Sequence, residues 1–155
     1  MLKNIAPLLC ICSVLALPVS AAAQRPEADL CAVVPGAQPL LPAKLLQGMG
    51  DTNMPVTTKS EEARKFFNQG ISQMHSFWFL ESERSFLQAA ELDPEMAMAY
   101  WGIALGLGSN YNVTADAAQL TEAYANLQKA IELSARASEA DKAYIAALSR
   151  RYAKD

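Results

Sequence analysis

The sequence predicts an all-α chain, an α-solenoid of antiparallel helix pairs, and three observations point to it. Of its 155 residues 28 are alanine, so the apolar fraction of 52% reflects close-packed helices more than a bulky core. Seven of the eight prolines precede residue 56, and every aromatic residue lies beyond residue 65. After Gly108 neither Gly nor Pro recurs, a composition that lets helices run uninterrupted. The net charge of −3 leaves no basic footprint, which disfavours nucleic-acid binding.

Residues 1–23 read as an export signal. Lys3 is the only charge ahead of the apolar run Ile5 to Leu17, and Ala21 and Ala23 supply the small residues for cleavage before Gln24. An uncleaved anchor is the alternative, since Ile5 to Ala23 is almost long enough to span a bilayer; Pro18 and the small-residue exit favour cleavage. A lipid anchor at Cys10 or Cys12 is disfavoured, because Leu9 and Ile11 stand where a small residue is wanted. The expected location is therefore periplasmic or secreted, with no membrane contact after cleavage. The mature chain would carry 12 bases against 16 acids, a charge of −4, and one thiol, Cys31, which has no internal partner.

Residues 24–58 hold Pro26, Pro35, Pro39, Pro42 and Pro55 with Gly36, Gly48 and Gly50, which predicts an extended lead-in. Leu40, Leu41, Leu45 and Leu46 are its means of lying against the folded part. The helical domain follows over 59–155. Ser60 is a good N-cap for a first helix, with Glu61 and Glu62 at its positive end. Its apolar stripe runs through Ala63, Phe66, Phe67, Gly70, Ile71, Met74, Phe77 and Trp78 at helical spacing. A second helix is expected from about Glu81 to Glu91, and Asp93-Pro94-Glu95 reads as the start of a third that ends near Gly106. A fourth spans roughly Ala115 to Ala137. Ser138-Glu139-Ala140-Asp141 resembles a capping box for a fifth, ending around Ala153.

Counting from Ala63 puts Gly70 at position 8, Ser82 at 20, Phe86 at 24, Ala89 at 27 and Pro94 at 32. That pattern resembles a 34-residue tetratricopeptide repeat (TPR), in which a small residue at 8 admits the second helix and Pro at 32 opens the next pair. Ser82 departs from the usual Ala, so its hydroxyl needs a backbone carbonyl or water. Repeat one then covers about 63–96. Repeat two, about 97–137, places Tyr100, Ile103 and Ala104 on its first helix and Ala123, Leu127 and Ala130 on its second, given a seven-residue insertion after Gly106. Residues 138–154 look like the unpaired first helix of a third, making two to two and a half repeats. The runs Phe67 to Gly70, Glu81 to Ala90 and Ala97 to Ala104 are similar to the amino-terminal part of longer exported bacterial TPR proteins. That resemblance implies no defined reaction and no cofactor. Members of that group often carry histidines before Pro55-Val56-Thr57-Thr58; Thr52, Asn53 and Met54 stand there instead.

Carried onto these positions, the resemblance implies a concave binding groove of Arg64, Phe67, Ile71, Met74, His75, Met98, Trp101 and Leu105, suited to an apolar peptide, a partner helix or the chain's own lead-in. The insertion Asn110-Tyr111-Asn112 would overhang its edge or cap a helix. The expected function is a non-enzymatic scaffold that binds another protein or peptide. Two alternatives stand beside it. One is a metal or redox accessory protein using Cys31, His75, Met74, Met96 and Met98, although methionines at helical spacing are far more often core. The other is an amino-terminal piece of a longer TPR protein without independent function. A catalytic reading is weak: the only histidine, His75, has no third group to support a Cys31 pair. Gly106-x-Gly108 lacks a phosphate-loop pattern, and Arg150, Arg151 and Lys154 suit a helix C-terminus. Ala143, Tyr144, Ala147 and Leu148 on the last helix have no following helix to cover them, which predicts self-association there.

Overall fold

The computed structural model describes residues 41–152; the signal segment, Leu40, all three cysteines and residues 153–155 lie outside the described residues. Among the described residues the chain is all-helical, with five α-helices and no strand. They are α1 (Glu61–His75), α2 (Phe79–Leu92), α3 (Ala97–Leu107), α4 (Ala117–Leu133) and α5 (Glu139–Ser149), with a single 3₁₀ turn, Ser134–Arg136, after α4. Each helix packs on the next in sequence, and α1 touches α3 as α3 touches α5. None is long and apolar enough to cross a membrane among the described residues.

Local chemistry explains the starts. Ser60 Oγ accepts the Ala63 N–H while Glu61 and Glu62 occupy the positive end of α1. Asp116 and Gln119 form a reciprocal capping box on α4. Several boundaries differ from the sequence expectation: α2 begins at Phe79 instead of about Glu81, α4 gives way at Leu133 to the 3₁₀ turn Ser134–Arg136 instead of running to Ala137, and α5 ends at Ser149 instead of about Ala153. The first helix stops at His75 instead of Trp78, because the chain turns there through a Schellman motif. Trp78 N–H donates to Gln73 O and Phe77 N–H to Met74 O, with Phe77 at φ 61°. The third helix begins at Ala97 instead of Pro94. Asp93 is not its cap: Oδ1 accepts the Glu95 N–H, and Oδ2 takes the Lys59 N–H and the Thr58 hydroxyl. Asp93-Pro94-Glu95 is thus a turn that the lead-in holds from outside.

Phe86 of α2 is the knot of the core. Fully buried, it lies 5.5 Å from the Phe67 ring and fills the space that side chains at Gly70 and Gly102 would need. A Cβ at Gly70 would fall 2.7 Å from its ring and one at Gly102 2.5 Å, so these glycines let α1 and α3 close on α2. Ser82, Ala89, Ala123, Leu127 and Ala130 are buried as well, whereas Pro94 is exposed. The Ser82 hydroxyl donates to the Gly70 carbonyl at 2.8 Å, which is how a polar group is tolerated there.

Residues 41–58 lie against α1 and α2, but not through the expected leucines. Leu41, Leu45 and Leu46 are all exposed. The attachment is polar. Arg84 donates to the carbonyls of Leu41 and Pro42, Gln69 bonds the backbone of Lys44 and Leu46, and Asn68 accepts the Met54 N–H. Ala43 and Val56 are the buried apolar contacts of this segment.

Candidate functional site

The eight residues of the expected groove divide into two groups. Phe67 and Met98 have no accessible surface, and Ile71 and Trp101 are also buried. These four are packing residues in the folded chain, which corrects the expectation that they line an open surface. Phe67 is spent on Phe86, as described above. Trp101 is closed over by α5: its Nε1 donates to the Tyr144 carbonyl at 3.1 Å, and the Tyr144 ring meets it edge-on at 5.7 Å. Arg64 is half-buried, donating to the Val56 carbonyl and pairing with Glu61 at the lead-in side of α1. Met74, His75 and Leu105 keep accessible surface.

Those three lie where the C-terminal ends of α1 and α3 come together. Met74 Cε would stand 3.7 Å from a Cβ placed on Gly106. Tyr152 brings the end of the described chain to the same place, its hydroxyl donating to the Ala104 carbonyl at 2.7 Å. Burial raises the Tyr152 phenol above its ordinary value, with Arg151 opposing, so the donor stays protonated.

Next to Met74 and His75 the turn into α2 presents what the sequence stripe assigned to the core. Phe77 is 64% exposed and Trp78 48%, with Leu80 exposed behind them. Phe77 stacks only edge-on with Phe79, at 6.1 Å. A bulky residue in the left-handed region is rare, and such a conformation persists only where the surroundings impose it. Here the turn imposes it, and the ring is left in water. The available signal was the run Phe77-Trp78-Phe79-Leu80, because four consecutive large apolar residues cannot share one helix face. Tyr111 is fully exposed, on the loop between α3 and α4, which is closed on itself by the Asn110 side chain accepting the Asn112 and Val113 N–H groups.

Two other polar arrangements are present. A cleft of about 130 Å³ is lined by Thr57, Thr58, Lys59, Asp93, Glu95 and Arg136 among others. Glu95 bridges Lys59 at 3.4 Å and Arg136 at 2.7 Å across it. Burial pushes the Asp93 carboxyl up, but the Thr58, Lys59 and Glu95 hydrogen bonds and the Lys59 charge outweigh it and hold it below the usual value. On the helices, burial first and the Glu122 charge second push the Glu83 carboxyl up to about 7. The proposed soft metal set is dispersed: Met96 and Met98 are fully buried, His75 is exposed, and Cys31 lies outside the described residues. Among the described residues no group of three or more His, Cys, Asp or Glu side chains converges as a metal site would require.

Comparison with known protein families, with curated proteins and with solved structures finds no match to this chain.

Proposed function

We propose that the protein is an exported, non-enzymatic, TPR-like scaffold that binds an apolar segment of another protein at the rim formed by Met74, His75, Phe77, Trp78 and Leu105. One observation carries this reading: Phe77 is held in a disfavoured backbone conformation that exposes its ring beside exposed Trp78. Strain of this kind concentrates at sites that work by contact, and paired exposed aromatics are typical anchors of protein recognition. The repeat pattern supports the scaffold half of the proposal, since Gly70, Phe86 and Ala89 take the buried positions of repeat one and Ala123, Leu127 and Ala130 those of repeat two. The binding surface proposed here is therefore the end of the helix row instead of its inner face.

The test is selection of linear peptides from a displayed library on the full chain, followed by affinity measurement on variants. Selected peptides should shift the emission of Trp78, the more exposed of the two tryptophans. They should lose at least tenfold in affinity on Phe77→Ser and on Trp78→Ser, with helical circular dichroism unchanged. Peptides that bind both variants as well as the parent chain reject the site.

A further inference from the structure

Residues 41–46 are seated against α1 and α2 through their main chain. Gln69 brackets Leu45 with a single amide: Nε2 donates to the Lys44 carbonyl at 2.9 Å, and Oε1 accepts the Leu46 N–H at 2.7 Å. A donor and an acceptor offered to positions two residues apart are what a neighbouring β-strand would supply. Arg84 adds the Leu41 carbonyl at 2.8 Å and the Pro42 carbonyl at 3.1 Å. The side chains take little part: Leu41, Leu45 and Leu46 are exposed, and Ala43 alone is buried. One small residue is thus the only side chain this face selects.

Beneath this arm the surface is polar. Gln69 Nε2 also donates to the Ser85 hydroxyl, which donates in turn to Gln73 Oε1 at 2.7 Å. The network ends on Gln73 Nε2, a buried donor without a partner among the described residues. Such a group costs free energy, and water admitted by lifting the arm would lower that cost. Lifting also exposes little apolar surface, since Ala43 is the arm's one buried side chain. The rest of the lead-in is fixed separately, the Met54 N–H to Asn68 and the Thr57 N–H to buried Asp141. Between the two attachments the chain turns at residues 47–49, with Gly48 at φ 79° and Gly50 at φ 86°. A Cβ at either glycine would meet nothing within 4 Å, so no neighbour packs on the turn at these points. Beside it lies a cleft of about 200 Å³, lined by Met49, Thr52, Lys65 and Ser72 among others.

We propose that Gln69 and Arg84 form a second peptide-binding site, one that reads an extended main chain, and that residues 41–46 are its tethered occupant, hinged at Gly48 and Gly50. When the arm swings out, the site takes an extended segment of another protein that carries a small residue in the place of Ala43. The arm regulates the site by competing for it at the high local concentration that a short tether gives.

An NMR titration of the full chain tests this, with the N-acetylated peptide of residues 41–47 as probe. Ala43→Asp should eject the arm, moving the Gln69 side-chain amide signals while helical circular dichroism stays unchanged. Added peptide should return those signals to their parent positions. It should bind the Ala43→Asp chain at least tenfold more tightly than the parent chain, whose own arm competes. N-methylation of the peptide at the Leu46 nitrogen should weaken binding at least tenfold, whereas Leu41→Ser in the peptide should change it less than twofold. In the unmodified chain the Leu46 N–H should be protected from hydrogen exchange at least tenfold less than the Thr57 N–H. Equal protection of the two amides, Gln69 signals that do not recover, equal affinity for the two chains, or indifference to N-methylation each overturns the proposal. None of these readings involves Phe77 or Trp78, so the rim proposed above stands or falls separately.

Discussion

The backbone N–H of Thr57 donates a 3.0 Å hydrogen bond to Oδ2 of Asp141, joining the lead-in to the first turn of α5 across 84 residues. Asp141 is fully buried, and the Thr57 hydroxyl in turn accepts the Ser138 N–H. The capping box expected at Ser138 is thereby opened: Ser138 Oγ still accepts the Asp141 N–H, but Thr57 takes the place of the returning carboxylate.

Asp141→Ala should release both segments. Loss of a buried hydrogen bond that leaves its donor unpaired costs about 1–3 kcal/mol. Urea denaturation should report that loss, and limited proteolysis should cut faster between residues 50 and 59. Unchanged cleavage would mean that the Thr57 contact does not hold the lead-in.

Gly102→Ala should destabilise the fold by ~1–3 kcal/mol, because the fully buried Phe86 has no room to yield. Gly70→Ala presses on the same ring, so the double variant should lose less than the sum of the two. Phe86→Leu should recover part of either loss. Additive effects would show that the two glycines act independently of Phe86.

Phe77→Gly should stabilise the chain while weakening binding. Relief of the left-handed strain is worth about 1–2 kcal/mol, offset by roughly 0.5–1 kcal/mol of glycine's backbone entropy. Phe77→Ala should be less stable than Phe77→Gly, since alanine keeps the Cβ that the conformation disfavours. Equal stability of the two would argue that the turn relaxes.

Glu83 ties stability to pH. Its carboxyl is raised from 4.5 to about 7 in the folded chain, so between those values the folded state holds more protons than the unfolded one. Stability therefore falls as pH rises through this window. Glu83→Gln should flatten the dependence and exceed the parent chain above pH 7 by ~1 kcal/mol, after allowance for solvent screening of a partly exposed group. Urea midpoints at pH 5 and pH 8 decide it.

The existence and order of the helices could be read from the sequence alone. Alanine content, the absence of Gly and Pro beyond Gly108, and apolar residues at three- and four-residue spacing are local signals, and local hydrogen bonding turns them into helices. The pairing of Gly70 with Phe86 was legible for the same reason, as a small residue and a large one at a fixed offset. Gly102 was not, because its importance comes from the approach of α3 to a ring that belongs to another helix.

Tertiary structure decided where helices stop and which surfaces stay open. Asp93 has the sequence of a helix cap, yet Thr58 and Lys59 claim its carboxylate from 35 and 34 residues away, and α3 starts at Ala97. Trp101 has the position of a binding residue until Tyr144 covers it, and Phe77 has the spacing of a core residue until the Schellman turn expels it. In each case the local pattern states what a side chain could do. At Asp93 and Trp101 competition for hydrogen-bond partners and space between segments distant in sequence selects what it does, whereas at Phe77 a local turn selects it.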